Sequence, residues 1–365
     1  MSDRRPLPAL FFSLLLFAGP ALAEPTVTIL DLPFPARALR GPGSEVAVGL
    51  ATSGLVTLPR RKPATADPRA KITEEDAPVA VVWSETGGAA LVLAESKLTT
   101  TLVGADAIEG LAAAETPRGA LPGSRRALLG PMSAHLSKAA EGPASLTIRE
   151  RQPVAMSAEP TTVPIATSSV SAGSAGFAPR RPRAARIDGR PIVLAVTAEP
   201  AGGSALAVVG RADTSGRWDI LARSSASGGP PITPAAVADF AGSGRAQVAA
   251  VRAPDGAGTL QLFAYDRGAL SLLHEAAGYA DLSPGDREAD LAAAVDFDGD
   301  GVPELALPVA DRTALAILSL KDGIRERARI PLPARAAFGL VVIGEGASMR
   351  LLVGLADGRV ASVVP

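Results

Sequence analysis

Two segments of this chain align without a gap when Asp239 is set on Asp296: Val-Ala-Asp239-Phe-Ala-Gly-Ser-Gly244-Arg-Ala-Gln-Val against Ala-Val-Asp296-Phe-Asp-Gly-Asp-Gly301-Val-Pro-Glu-Leu. An internal repeat constrains the fold more tightly than residue propensity does. Each copy must be one supersecondary unit that buries its apolar faces on its neighbours. Both copies run from the turn into an apolar stretch and then an alternating one, Gly258-Thr-Leu-Gln-Leu-Phe-Ala-Tyr265 in the first and Thr313-Ala-Leu-Ala-Ile-Leu-Ser-Leu320 in the second. Period-two alternation between glycine turns predicts several consecutive β-strands per unit. A shorter third copy, Arg186-Ile-Asp188-Gly-Arg-Pro, matches Asp300-Gly-Val-Pro and keeps the turn without the other acids.

Many short strands at a period of roughly 50 residues predict a β-propeller of about seven blades, with five or six as alternatives, each of four antiparallel strands. Val48-Gly-Leu-Ala-Thr-Ser-Gly-Leu-Val-Thr-Leu58 and Val353-Gly-Leu-Ala-Asp-Gly-Arg-Val-Ala-Ser-Val363 resemble each other, and both read as strand, glycine turn, strand. The last unit offers only three strands, near residues 339–343, 350–355 and 359–364. Residues 26–32 are expected to add the fourth, closing the ring by N- to C-terminal pairing and removing an exposed edge. Residues 24–365 thus form one domain. Three spans rich in Pro, Ser, Ala and Arg, about 60–78, 104–126 and 153–185, read as long loops.

The run Asp296-Phe-Asp-Gly-Asp-Gly-Val-Pro-Glu304 places acids at loop positions 1, 3, 5 and 9 around two glycines. A hard divalent cation takes six to eight oxygen ligands, and alternate acids in a glycine-bearing loop can turn inward to supply them. An EF-hand would need helices on both sides and a Glu at position 12, where Leu307 stands; the flanks read as strands. The calcium reading assigns Asp296, Asp298 and Asp300 as carboxylate ligands, Val302 through its carbonyl, and Glu304 as the closing acid. The alternative is a solvated acidic turn that holds its shape without metal, as the Asp239 copy does with Ala241 and Ser243 in acidic places. These residues resemble the FG-GAP (VCBS) repeat family, whose integrin-α-like propellers carry such a turn. The resemblance is strong over residues 294–307, fair over 236–250, and weak or absent before about residue 184. It implies that the loop joins the first two strands of a blade and often binds calcium.

Arg4 and Arg5, the apolar run 9–18 and Ala21-Leu-Ala23 follow the three-part plan of a secretory signal peptide, cleaved after residue 23. An apolar run of about ten residues is too short to span a bilayer, so no membrane span is expected after signal removal. The expected location is periplasmic or secreted. The absence of cysteine excludes disulfides, thiol chemistry and sulfur metal sites. A net charge of −1 provides no broad attraction to nucleic acid or anionic lipid.

Catalytic motifs are missing: the two histidines, His135 and His274, lack a second His at ligand spacing, and no nucleophile elbow or phosphate loop occurs. Paired-carboxylate catalysis would need acids distant in sequence to converge in the fold. Tyr279, Asp281, Asp286, Arg287, Glu288 and Asp290 form a cluster expected in a crossover between blades, on the face opposite the calcium loop. It is a candidate partner-binding crossover or a solvated acidic loop. The basic runs Arg180-Arg-Pro-Arg183 and Arg60-Arg-Lys62 are read as solvating loops, and Trp83, Trp218, Phe263 and Tyr265 as blade packing. The expected function is a non-enzymatic binding or scaffolding module for a protein or polymer of the cell envelope. A propeller hydrolase or lyase acting on an extracellular polymer is the alternative, favoured if charged side chains converge at the channel.

Overall fold

Alternating apolar residues build six four-stranded antiparallel sheets, the blades of a β-propeller. The structure, a computed structural model, describes residues 24–61, 75–138, 142–153, 162–200, 202–213, 215–226, 228–253, 257–266, 268–285 and 290–365. The proposed signal segment lies outside them. Blade 1 comprises Ala38–Arg40, Val79–Ser84, Gly87–Ala94 and Lys97–Val103, and blade 2 Ala127–Leu129, Met132–Ser137, Ser145–Arg151 and Ile165–Ser171. Blade 3 comprises Arg183–Ile187, Arg190–Ala198, Ser204–Arg211 and Trp218–Arg223, and blade 4 Ile232–Ala238, Gln247–Arg252, Thr259–Asp266 and Ala269–Ala277. Blade 5 comprises Ala293–Val295, Glu304–Pro308, Ala314–Ser319 and Arg325–Pro331. Blade 6 comprises Ala336–Ile343, Arg350–Leu355, Val360–Val364 and, as its outermost strand, Thr26–Ile29.

That last strand closes the ring as the sequence implied. Thr26 sits opposite Val364 and Ile29 opposite Ala361 in antiparallel register, and the ladder continues through Leu30 N to Val360 O at 2.9 Å. At the junction of blades 6 and 1 the innermost strands touch at Gly339, whose φ of 147° and missing side chain both matter. A Cβ there would lie 2.9 Å from the Leu39 carbonyl oxygen.

The expected count of about seven blades is corrected to six among the described residues, because helices take sequence that read as strand or loop. Residues 48–58 do not form strand, turn and strand. Glu45–Ser53 is a helix, α1, capped by the Ser44 hydroxyl accepting from Ala47 N at 3.2 Å and ended by Gly54 at φ 75°. Its Val46, Ala47 and Leu50 are buried against Val79, Val81 and Val92 of blade 1. The span 104–126, expected as loop, holds a second helix, α2 (Ala105–Ala112), whose Ile108 is buried in the same cluster. A 3-10 turn, Ala113–Glu115, follows it. The span 153–185 is likewise not all loop: it supplies the Ser/Thr-rich outer strand of blade 2, Ile165–Ser171. Between blades the seams fill with apolar side chains. Leu305, Leu307 and Ala316 of blade 5 face blade 4, while Ala306, Leu315 and Ile317 face blade 6.

Candidate functional site in the central channel

The first strand of every blade lines one cavity of ≈ 400 Å³ on the ring axis, with Leu39, Leu128, Ala184, Ala236, Ala293 and Leu340 each contributing from a different blade. Alanines and leucines line the channel, and most of its charged residues enter where the crossovers arrive from the preceding blade. Arg125 and Arg126 immediately precede the first strand of blade 2, Arg181 and Arg183 enter or begin that of blade 3, Asp290 precedes that of blade 5, and Arg40 ends that of blade 1.

These side chains form two linked ion clusters. Arg181 and Arg183 both pair with Asp290, and Arg183 also donates from Nε to Pro234 O at 2.7 Å. Arg40 pairs with buried Glu115 at 3.1 Å, and Arg125 approaches the same carboxylate at 3.7 Å. Arg126 pairs with Glu45 of α1 at 3.0 Å. Burial pulls the Arg125 guanidinium well below its ordinary pKa, with positive Arg181 and Arg40 adding to the effect. The buried Nε atoms of Arg126 and Arg181 have no hydrogen-bond partner among the described residues. The basic run at 180–183 is therefore no solvating loop: the side chains of Arg181 and Arg183 are only 25% and 22% exposed and point into the channel.

Two acids from the 278–292 crossover are driven apart. Burial raises the pKa of Asp281 well above its ordinary value, Arg183 opposes this, and Asp290 adds to it. Burial also opposes ionisation of Asp290, yet Arg183, Arg181 and Arg125 hold it below the ordinary value. Two interacting acids whose pKa values are pushed in opposite directions are the arrangement from which proton-transfer pairs are made. Asp281 has a buried Oδ1 without a partner among the described residues and does not line the cavity. Tyr279 of the same crossover is buried in the blade 4 to blade 5 cluster. Asp286, Arg287 and Glu288 lie outside the described residues.

The loop 296–303 joins the first and second strands of blade 5, at the end of the ring opposite the crossovers. Asp296 Oδ2 accepts from Gly301 N at 3.2 Å, Asp298 Oδ1 from Asp300 N at 3.2 Å, and Asp300 Oδ1 from Val302 N at 2.7 Å. Glu304 Oε2 accepts from Phe297 N at 2.9 Å. Asp296, Asp298 and Glu304 bring ligand oxygens within 4.8 Å of one another; Asp300 stands outside that group. Asp296 Oδ1 is buried without a hydrogen-bond partner among the described residues, while Asp298 Oδ2 is taken by Arg327 at 2.8 Å. Burial raises the Glu304 pKa against the Phe297 hydrogen bond, and the three aspartates reinforce it. The neighbouring Asp239 loop is held by its own hydrogen bonds, with Asp239 Oδ1 accepting from Ser243 N at 2.9 Å.

Trp83, Trp218 and Phe263 are buried in blade packing as expected, with Tyr265 partly buried beside Phe263. His135 is buried on blade 2, and burial, with Arg126 and Arg149, lowers its pKa to about 4. His274 stands on the exposed outer strand of blade 4. No helix of the described residues is long and apolar enough to cross a membrane.

No family model matches the chain, and no curated protein does either. Among solved structures it is similar to Trypanosoma rangeli sialidase in complex with sialic acid, at 12% identity and a TM-score of 0.41, over 93% of this chain and 59% of the sialidase. It is similar as well to a putative 6-phosphogluconolactonase from Bacteroides fragilis, at 10% identity and 0.37, over 77% and 87%. A third likeness is to the GH93 alpha-L-arabinofuranosidase of Fusarium graminearum in complex with arabinobiose, at 8% identity and 0.34, over 68% and 95%. The chain spans less than two thirds of the sialidase's length.

Proposed function

We propose that the channel binds an anionic group and that the chain acts as an exported hydrolase or lyase on an acidic extracellular polymer. One observation carries the reading: Arg40, Arg125, Arg126, Arg181 and Arg183 converge on a cavity in which Asp290 is the only acid among the lining residues. With Glu115 and Glu45 paired to Arg40, Arg125 and Arg126, these five arginines meet three carboxylates, so a chain of net charge −1 keeps an excess of positive charge on its axis. Guanidinium groups match planar oxyanions with paired donors, and low-dielectric walls strengthen the attraction. The lining has no aromatic ring, so neither base stacking nor a sugar platform competes with charge recognition. Asp281, whose pKa burial raises, and Asp290, whose pKa the arginines hold down, are the candidate proton-transfer pair, with Asp290 on the cavity wall and Asp281 off it.

The burial of Asp281 away from the cavity favours a second reading, a non-enzymatic module that binds a protein or polymer of the cell envelope. One experiment separates the two. Wild-type protein, Arg181→Gln and Asp281→Asn are incubated with oligouronates and sulfated oligosaccharides, and both binding and chain cleavage are followed. Cleavage lost in Asp281→Asn with binding retained supports the enzyme, and binding without cleavage supports the module. Failure of the wild type to bind any acidic oligomer overturns the channel as an anion site and the hydrolase or lyase with it.

Calcium belongs to the same reading as a structural ion. The converging oxygens of Asp296, Asp298 and Glu304, and the unpartnered Asp296 Oδ1, fit a hard cation. Asp300 and the Val302 carbonyl would complete the set, with the ion relieving repulsion among four carboxylates. Kinship with FG-GAP/VCBS repeats is supported by the position of this loop between the first two strands of its blade. Export through residues 1–23 remains part of the proposal.

A further inference from the structure

Five of the six seams between blades are filled by apolar clusters, and the seam between blades 1 and 2 is built differently. The clusters join blades 2 and 3, 3 and 4, 4 and 5, 5 and 6, and 6 and 1. Blade 1 instead covers its free face with its own helices, Val46 and Leu50 of α1 and Ile108 of α2 lying on Val81 and Val92. Strand alternation explains the other side. Met132, Ala134, Leu136, Leu146 and Ile148 of blade 2 turn toward blade 3. The residues between them, Ser133, His135, Thr147, Arg149 and Arg151, therefore turn toward blade 1. Among the described residues no apolar cluster bridges the two faces.

A cleft of ≈ 360 Å³ runs between α1 and this polar face, lined by Glu45, Val48, Arg126, Arg149, Arg151 and Ile165 among others. It shares Gly43, Arg126 and Leu128 with the axial cavity, so the two spaces meet at Arg126. Arg126 is answered by Glu45 at 3.0 Å. Arg149 and Arg151, two apart on one strand and hence on one face, make no ion pair among the described residues. Val48 and Ile165, 45% and 46% exposed, form apolar lips on the two sides. A seam that leaves out the packing used at the other five and carries two arginines without an ion pair among the described residues into a cleft continuous with an arginine-rich channel has the shape of an extended anion path.

Resting on the reading of the channel as an anion site, we infer that the seam between blades 1 and 2 is a second anion subsite. Its ligand is a chain with repeated anionic groups: one group sits on the channel arginines and a following one on Arg149 and Arg151. Linking two such contacts raises affinity through effective concentration, without any new kind of bond.

Calorimetric titration tests this with galacturonate as the single unit, and with a galacturonate oligomer and a polyphosphate of matched charge as the two chains. The wild type should bind at least one chain about tenfold or more tighter than the single unit. Arg149→Gln with Arg151→Gln should remove that advantage and leave single-unit binding unchanged, while Arg181→Gln should weaken single unit and chain alike. Arg149→Lys with Arg151→Lys, which keeps the charge, should retain part of the advantage. Whichever chain shows the loss names the anion. A Gln double variant that melts like the wild type and binds the chain as tightly overturns the seam subsite and leaves the channel reading standing, as does a wild type that binds single unit and chain equally. A wild type that binds none of the three overturns both.

Discussion

Arg40 donates from Nε to both carboxylate oxygens of Glu115, at 3.2 and 3.1 Å. The pair joins the innermost strand of blade 1 to the turn that leads into blade 2, across the seam that lacks apolar packing. Arg40 also lies 5.2 Å from the Trp83 ring centroid, so it is held by charge and by an aromatic face.

Removing the acid leaves Arg40 and Arg125 buried without their shared carboxylate, a change that typically costs 3–5 kcal/mol. Glu115→Gln is expected to lower unfolding free energy by about 3 kcal/mol in denaturant titration. A loss below about 1 kcal/mol, the size of an exposed pair, would mean that water reaches the seam and screens it.

Deleting residues 24–33 removes the outer strand of blade 6 and exposes the backbone edge of Val360–Val364. Thermal midpoint and solubility should fall together, because an open edge both weakens the blade and templates association. An unchanged melt in light of the same deletion would show that the strand contributes nothing to closure.

Calcium set against chelator should shift the melting temperature upward in the wild type, since an ion that binds only the folded state at about a hundred times its dissociation constant stabilises by ~2.7 kcal/mol. Asp298→Ala with Asp300→Ala should abolish the shift and leave the fold intact, as the Asp239 loop holds its shape through its own hydrogen bonds. Equal shifts in both proteins would place the ion elsewhere.

His135 carries a pH signature. Burial first, then Arg126 and Arg149, bring its pKa from 6.5 to about 4. Between those values the unfolded chain binds the proton and the folded chain refuses it. The contribution to stability is therefore complete above pH 6.5 and declines as pH falls toward 4. Denaturation midpoints measured across this range should fall more steeply for the wild type than for His135→Gln. Parallel curves would mean that His135 titrates normally in the fold.

The strands were legible because their signal is local: alternation between glycine turns marks Thr259–Asp266, Ala314–Ser319 and Arg350–Leu355 within a residue or two. The helix Glu45–Ser53 was not, since Val-Gly-Leu-Ala-Thr-Ser reads equally well as a short strand. The Ser44 cap and burial against Val81 decide it. The channel site was hidden for another reason. Arg40, Arg125, Arg183 and Asp290 are scattered along the chain and meet only because six first strands share an axis. A weak signal did exist, in that Arg125-Arg126 and Arg181-Pro-Arg183 each sit directly before the apolar start of a repeat unit.

Thr28 and Ser362, which meet through a hydroxyl-to-carbonyl contact in blade 6, are 334 residues apart. Of the described strands, Thr26–Ile29 is thus the first to be made and among the last to find its partner. At 5–20 residues per second it waits on the order of tens of seconds as an unpaired β-segment while five blades form behind it. Closing so long a loop is slow, and until it closes the edge of Val360–Val364 is open to a strand from a neighbouring chain.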